Sequence, residues 1–231
     1  NFRPDFHDIA DDELMNLLIE SGLTEAFIGA ESGNEEDLQL YNKGTTVSDA
    51  EETIKLFRRY DCFVKCGFIM FNPFSTPERL RENLDFLERN RLATYDNLQS
   101  RLTLSHGLPI KQTIIDEDLL YSQTYDVRNS MVKALMMILN DIERKLNSKA
   151  VELYSWLSVK EAKIKKRFAV YNDDAEAYAI ADKYEKLIES VIMLESDLMA
   201  EWFRDILDMM DKGRPLTEIM GKRNYWLEMV I

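Results

Sequence analysis

The residues able to do chemistry are few, and three short stretches hold most of them. An apolar run, AFIGA at 26–30, stops at Glu31 and Ser32; residues 71–76 read FNPFST, and residues 104–109 read LSHGLP. Each stretch follows a segment of strand-like composition. In parallel α/β architectures ligands gather at the carboxyl ends of the strands, so all three stretches are expected on one rim. A carboxylate can accept two hydrogen bonds from a vicinal diol, and a hydroxyl beside it can donate or accept. Glu31 with Ser32 therefore suits a ribose. Glu31 has plainer roles as well: a cap for the helix that follows, or the partner of an arginine. A third option, Glu31 and His106 acting as acid and base, lacks any positioning motif.

Other chemistries find little support. Two cysteines, Cys62 and Cys66, and two histidines, His7 and His106, are the whole soft-ligand inventory, too sparse and too scattered for a transition-metal site without carboxylates. Three residues separate the cysteines, where the familiar redox and zinc spacing has two. In a strand both thiols would point to one face, as buried, reduced cysteines of a cytoplasmic protein. No Gly-x-Gly-x-x-Gly or Walker sequence occurs, and eight glycines in 231 residues is well under the usual share of about 7%, so a phosphate-cradling loop is not expected. The net charge of −13 argues against nucleic acid, which demands a basic footprint. The basic cluster VKEAKIKKRF at 159–168 is flanked by acidic sequence and reads as a solvated helix face. Asp11–Asp12, Glu35–Glu36 and Asp173–Asp174 fall at helix starts, where they complement the dipole. No apolar run reaches membrane-spanning length, and the opening residues lack the pattern of a signal peptide.

The elements that must position the rim divide into two halves. Up to about residue 105 helices and strands alternate. Leu14, Leu17 and Leu18 mark a helix stopped by Gly22; AFIGA is a short strand; residues 35–44 are a helix ended by Gly44. Val47, Ala50, Ile54 and Phe57 mark another helix, and residues 62–71 read as a strand covered on both faces. Thr76 caps a helix with Pro77 at its first position and Leu80, Leu84 and Leu87 on its apolar face. Residues 97–104 suit a third strand. Such alternation implies parallel βαβ units with right-handed crossovers. After about residue 126 only helices are expected. One carries Met131, Leu135 and Ile138; a second covers 150–168; a long third runs from about 173 to 211, with Tyr184, Leu187, Val191, Leu194 and Leu198 in heptad spacing and read as core. A short last helix is expected near 225–231.

These residues resemble a family. The segment from residue 17 to 46 is similar to the middle of a radical S-adenosylmethionine enzyme, in which a strand closes on Gly-x-Glu-Ser before a Leu…Asn-Lys-Gly segment; the matching residues are Gly29, Glu31, Ser32, Leu38, Asn42, Lys43 and Gly44. Residues 63–87 resemble the next unit and its Gly-x-Pro-Gly-Glu-Thr turn. Pro73 and Thr76 are kept there, while Phe71, Phe74 and Ser75 stand in place of the glycines and the glutamate. HGLPI at 106–110 resembles the Gly-Thr-Pro-Leu segment, with Leu108 for the threonine. The nearest subgroup often carries a cobalamin-binding domain, and the resemblance runs from about residue 3 to 126.

The resemblance implies the C-terminal part of a parallel βα barrel over 1–125, followed by an all-α region over 126–231. It implies S-adenosylmethionine as ligand, with Glu31 and Ser32 against its ribose or methionine and the loops of Asn72 and His106 near its adenosyl group. The family holds a [4Fe-4S] cluster on Cys-x3-Cys-x2-Cys; Cys62 and Cys66 match the first spacing, but Ile69 occupies the third position. The cluster, and cobalamin where used, are therefore expected to be held elsewhere in a longer protein, for methyl transfer or another radical modification. This chain alone is expected to show no radical activity. Strands without their neighbours leave unpaired edges, so the expected partner is the missing half of the barrel or a second copy at that edge. The alternative is a non-catalytic module whose helical tail binds a protein.

Overall fold

The computed structural model describes residues 1–105, 107–122, 124–146, 159–215, 217–219 and 221, with 141–146 as helical backbone only. His106, the 225–231 helix and the 150–158 part of the second tail helix lie outside the described residues.

Local signals set the first elements. Asp11 caps α1 (Asp12–Glu20) by accepting from the Leu14 amide at 2.8 Å, and Gly22 leaves the helix at φ +105°, a conformation that suits glycine. β1 (Glu25–Glu31) follows. Asn34 caps α2 (Glu35–Leu40), and Thr46 with Asp49 forms a capping box on α3 (Val47–Arg59). β2 (Phe63–Phe68) pairs with β1 in parallel, from Glu25 opposite Phe63 to Ile28 opposite Cys66. α4 (Pro77–Arg89) starts on the Thr76 cap. The short helices α5 (Tyr95–Gln99) and α6 (Ile110–Asp116) lead to a small antiparallel pair, β3 (Leu120–Tyr121) and β4 (Thr124–Tyr125). Among the described residues three longer helices follow: α7 (Ser130–Leu146), α8 (Val159–Tyr171) and α9 (Ala175–Asp211).

The result is mixed α/β, mostly helical, around a small parallel sheet. Isolated parallel bridges extend it on either side, Phe2 with Ile28 and Phe71 with Arg101. One face of the sheet carries Ala26, Ile28, Val64, Cys66 and Phe68, all buried. They share one core with Ile54 and Phe57 of α3, Leu80 and Leu84 of α4, Leu135 of α7, and Trp202 and Phe203 of α9. Phe68 stacks on Phe86 at 5.7 Å between centroids. Helices from both halves of the sequence thus cover a single side of the sheet.

Three sequence expectations need correction. β2 is covered on one face only: Lys65 is exposed and bridges Glu25 at 2.8 Å across the open face. The 97–104 strand is reduced to the Arg101 bridge, because Thr94 caps a helical turn over Tyr95–Gln99 that consumes its first residues. None of the five heptad residues of α9 is buried; Tyr184 and Leu198 are half-buried and Val191 is exposed. Leu187 and Leu194 are exposed, because the face of α9 turned inward is that of Ala181, Glu185, Ile188 and Met199. Burial of Glu185 is made tolerable by Lys163, which lies within ion-pair reach, and by Lys166 at 2.8 Å.

Candidate functional site

The register of β1 breaks after Ile28, and Glu31 comes to lie opposite Phe68. Glu31 itself adopts φ +65°, a left-handed conformation uncommon for a residue with a side chain. Its backbone carbonyl still accepts from the Ile69 amide at 2.7 Å. The irregularity aims the carboxylate over the open face of the sheet: Glu31 Oε1 lies 3.3 Å from where a Cβ on Gly29 would stand. Lys43 Nζ donates to the same oxygen at 2.6 Å.

Beside Glu31 the Phe27 ring covers the open face. A Cβ on Gly67 would meet the Phe27 ring at 3.0 Å and the Gly29 Cα at 3.8 Å. The Phe27 ring thus lies over Gly67, and the Glu31 carboxylate over Gly29. Next to it opens a cleft of about 560 Å³, lined among others by Glu31, Tyr41, Lys43, Ile69, Arg101 and Thr103. Residues just past His106 close it, since Leu108 and Pro109 also line the wall. His106 itself lies outside the described residues.

Ser32 and Asn72 sit behind this cleft, fully buried. The Ser32 hydroxyl donates to Asn83 Oδ1 at 2.8 Å and accepts from the Asn34 amide at 3.1 Å. Asn83 Oδ1 also accepts from the Gly33 amide at 2.6 Å. Asn72 donates from Nδ2 to the Tyr41 hydroxyl at 2.8 Å, while its Oδ1 accepts from the Phe74 amide at 2.8 Å and its amide donates to Ser75 Oγ at 2.9 Å. Between them lies Asp37, wholly buried and 3.0 Å from an Arg79 nitrogen. Burial pushes the Asp37 carboxyl above the ordinary range, with Asn72, Arg79 and Ser32 pulling it back. Burial, with the Asp37 charge behind it, raises the Tyr41 phenol strongly. Of the four residues singled out by sequence, Glu31 faces the cleft, and Ser32 and Asn72 spend their polar atoms on the turns that hold it.

The sequence reading named Lys43 only as part of the family match and passed over Arg101, Asp37, Arg79 and Asn83. Asn83 left a signal, because it interrupts the Leu80, Leu84, Leu87 stripe of α4 at helical spacing. Arg101 donates to Asn140 Oδ1 at 2.5 Å, a partner far along the chain that spacing could not reveal.

The donor set fits a ribose-bearing cation better than a metal cluster. A carboxylate in the lining of a cleft, as Glu31 is, can accept from a diol or an ammonium. The thiols fit poorly as iron–sulfur ligands, which are thiolates. Cys66 lies on the opposite, buried face, accepts from Asn97 Nδ2 at 3.4 Å and is pushed up to about 12 by burial. Burial also raises the Cys62 thiol.

No family model matches the chain. Over 70 residues it is 40% identical to 4'-phospho-dehydrooxetanocin synthase of Priestia megaterium, covering 30% of this chain and 9% of that protein. Over 72 residues it is 35% identical to the anaerobic magnesium-protoporphyrin IX monomethyl ester cyclase of Cereibacter sphaeroides, covering 31% of this chain and 12% of that one. Its fold is similar to that of the cobalamin-dependent S-adenosylmethionine radical enzyme OxsB, solved with aqua-cobalamin and S-adenosylmethionine bound. The TM-score is 0.51 at 17% identity, over 98% of this chain and 45% of that one. The chain thus spans less than half the length of the proteins it matches. It is a relative of the radical S-adenosylmethionine enzymes. Among the described residues no helix is long and apolar enough to cross a membrane.

Proposed function

We propose that this chain supplies one wall of the S-adenosylmethionine site of a cytoplasmic radical enzyme, with Glu31 as its ligand-facing carboxylate. The observation that carries the reading is the placement of Glu31 in the lining of the cleft, with its carboxylate aimed over the open face of the sheet. When bound, S-adenosylmethionine supplies the adenosyl group that a radical enzyme releases by reductive cleavage. Glu31 accepts from the ribose hydroxyls. Lys43 fixes the orientation of that carboxylate from one side. Ser32, Asn72, Asn83 and Asp37 hold the two turns rigid, which keeps the donor set preorganised. On this reading 1–125 is the barrel-derived part and 126–231 the helical part. The cluster, and cobalamin if used, are held by other parts of a longer protein, which closes the open sheet face and its strand edge. Whether the whole protein transfers a methyl group or carries out another radical modification depends on those parts.

Ligand-observed saturation-transfer NMR with S-adenosylmethionine tests the reading, because it detects weak binding to a partial site. The expected result is transfer to the ribose protons, lost in Glu31→Gln. Transfer that survives the substitution, or none in the unaltered chain, overturns it.

A further inference from the structure

The outer face of α9 has a pattern that the cleft does not use. Ile180, Lys183, Leu187, Ser190, Leu194 and Asp197 follow one another at alternating spacings of three and four, and all are exposed. That spacing draws a single line along a helix. The three apolar members are 59–64% exposed, on a helix whose opposite face is already spent on α8 and the core. Among the described residues neither Lys183 nor Asp197 takes part in an ion pair. Both stand about 10 Å from Ser190 along the helix axis, in opposite directions.

We propose that this face is a homodimer interface, in which α9 of a second copy lies antiparallel across it about a two-fold axis at Ser190. The charges select the arrangement. In a parallel pair Lys183 would face Lys183 and Asp197 would face Asp197, two repulsions. In the antiparallel pair each Lys183 meets the other copy's Asp197, two attractions. Between them Leu187 of one helix packs beside Leu194 of the other, and the small Ser190 lets the helices approach at the axis. A two-fold contact of this kind is self-complementary and closes without leaving an open end. The apolar strip is short and its charges are solvated, so the dimer is concentration-dependent and salt-sensitive.

Sedimentation equilibrium on the 231-residue chain tests the proposal, with circular dichroism confirming that each variant stays folded. A monomer–dimer equilibrium is expected. Lys183→Asp and Asp197→Lys should each weaken it roughly tenfold, since symmetry places every reversal at two contacts. The combined K183D/D197K chain should recover the original affinity, because the pair is restored with its signs exchanged. Leu187→Glu should leave only monomer. A chain that stays monomeric at every attainable concentration overturns the proposal. So does a dimer indifferent to all four variants, which would sit elsewhere, for instance at a strand edge. A monomer whose α9 outer face is protected from hydrogen exchange overturns it too, since the chain would then cover that face itself.

Discussion

The Asp37 carboxylate, with no solvent-exposed surface, lies 3.0 Å from an Arg79 guanidinium nitrogen at the back of the candidate site. Removing one member of such a pair leaves a buried charge uncompensated, which costs far more than the pair contributes. Arg79→Met should therefore destabilise the chain by about 3–5 kcal/mol in urea titration. Asp37→Asn in the same chain should recover most of that loss. If the double variant is no more stable than R79M alone, the ion pair is not what Arg79 contributes.

Gly33 is enclosed by α4: a Cβ there would stand 2.4 Å from Phe86 Cβ and 3.0 Å from the Glu82 carbonyl oxygen. Neither is the free end of a flexible side chain, so the turn or the helix must shift. Gly33→Ala is expected to cost about 1–3 kcal/mol, as overpacking does elsewhere. Since the Gly33 amide also donates to Asn83, the same shift should disturb Glu31 and weaken the ribose signal. An alanine variant as stable as the original chain would refute this account of the turn.

Cys66 gives the protein an alkaline weakness. Its thiol is pushed from about 9 to about 12 by burial, so between those pH values the unfolded chain releases a proton that the native state keeps. Native binding of the extra proton means stability falls as pH rises through that window, by up to about 1.4 kcal/mol per pH unit. Tyr125, also raised to about 12 by burial, acts in the same direction from about pH 10 upward. Cys66→Ala should flatten the fall of urea midpoints above pH 9 by one proton. In the native chain the Cys66 thiol should also resist a thiol reagent until denaturant is added; prompt reaction at neutral pH would contradict its burial.

Much of the fold was legible because its signals are local. The Thr76 cap, the Gly22 exit and the apolar stripes of α3 and α4 stand where spacing puts them. The third strand was misread for a local reason, since the Thr94 cap was overlooked beside a β-prone run. The single-sided sheet was misread for a non-local one. An apolar run such as residues 62–71 has the composition of a doubly covered strand, but covering its second face depends on neighbours in space.

Of the candidate site, the sequence by itself determined Glu31 as a carboxylate closing a strand, and its company of Gly29, Asn42, Lys43 and Gly44 tied it to a family of enzymes. Tertiary structure decided which atoms are left to meet a ligand. A hydroxyl or an amide has the same name whether it faces a cleft or a buried partner. Only the packing of α4 against the 32–37 turn, and of Tyr41 against Asn72, turned Ser32 and Asn72 inward and left Glu31 facing out. The α9 heptads divide in the same way. Their spacing follows from helical geometry alone, but which of two apolar faces is covered depends on what each meets, because burial belongs to the assembled surface and not to the residue.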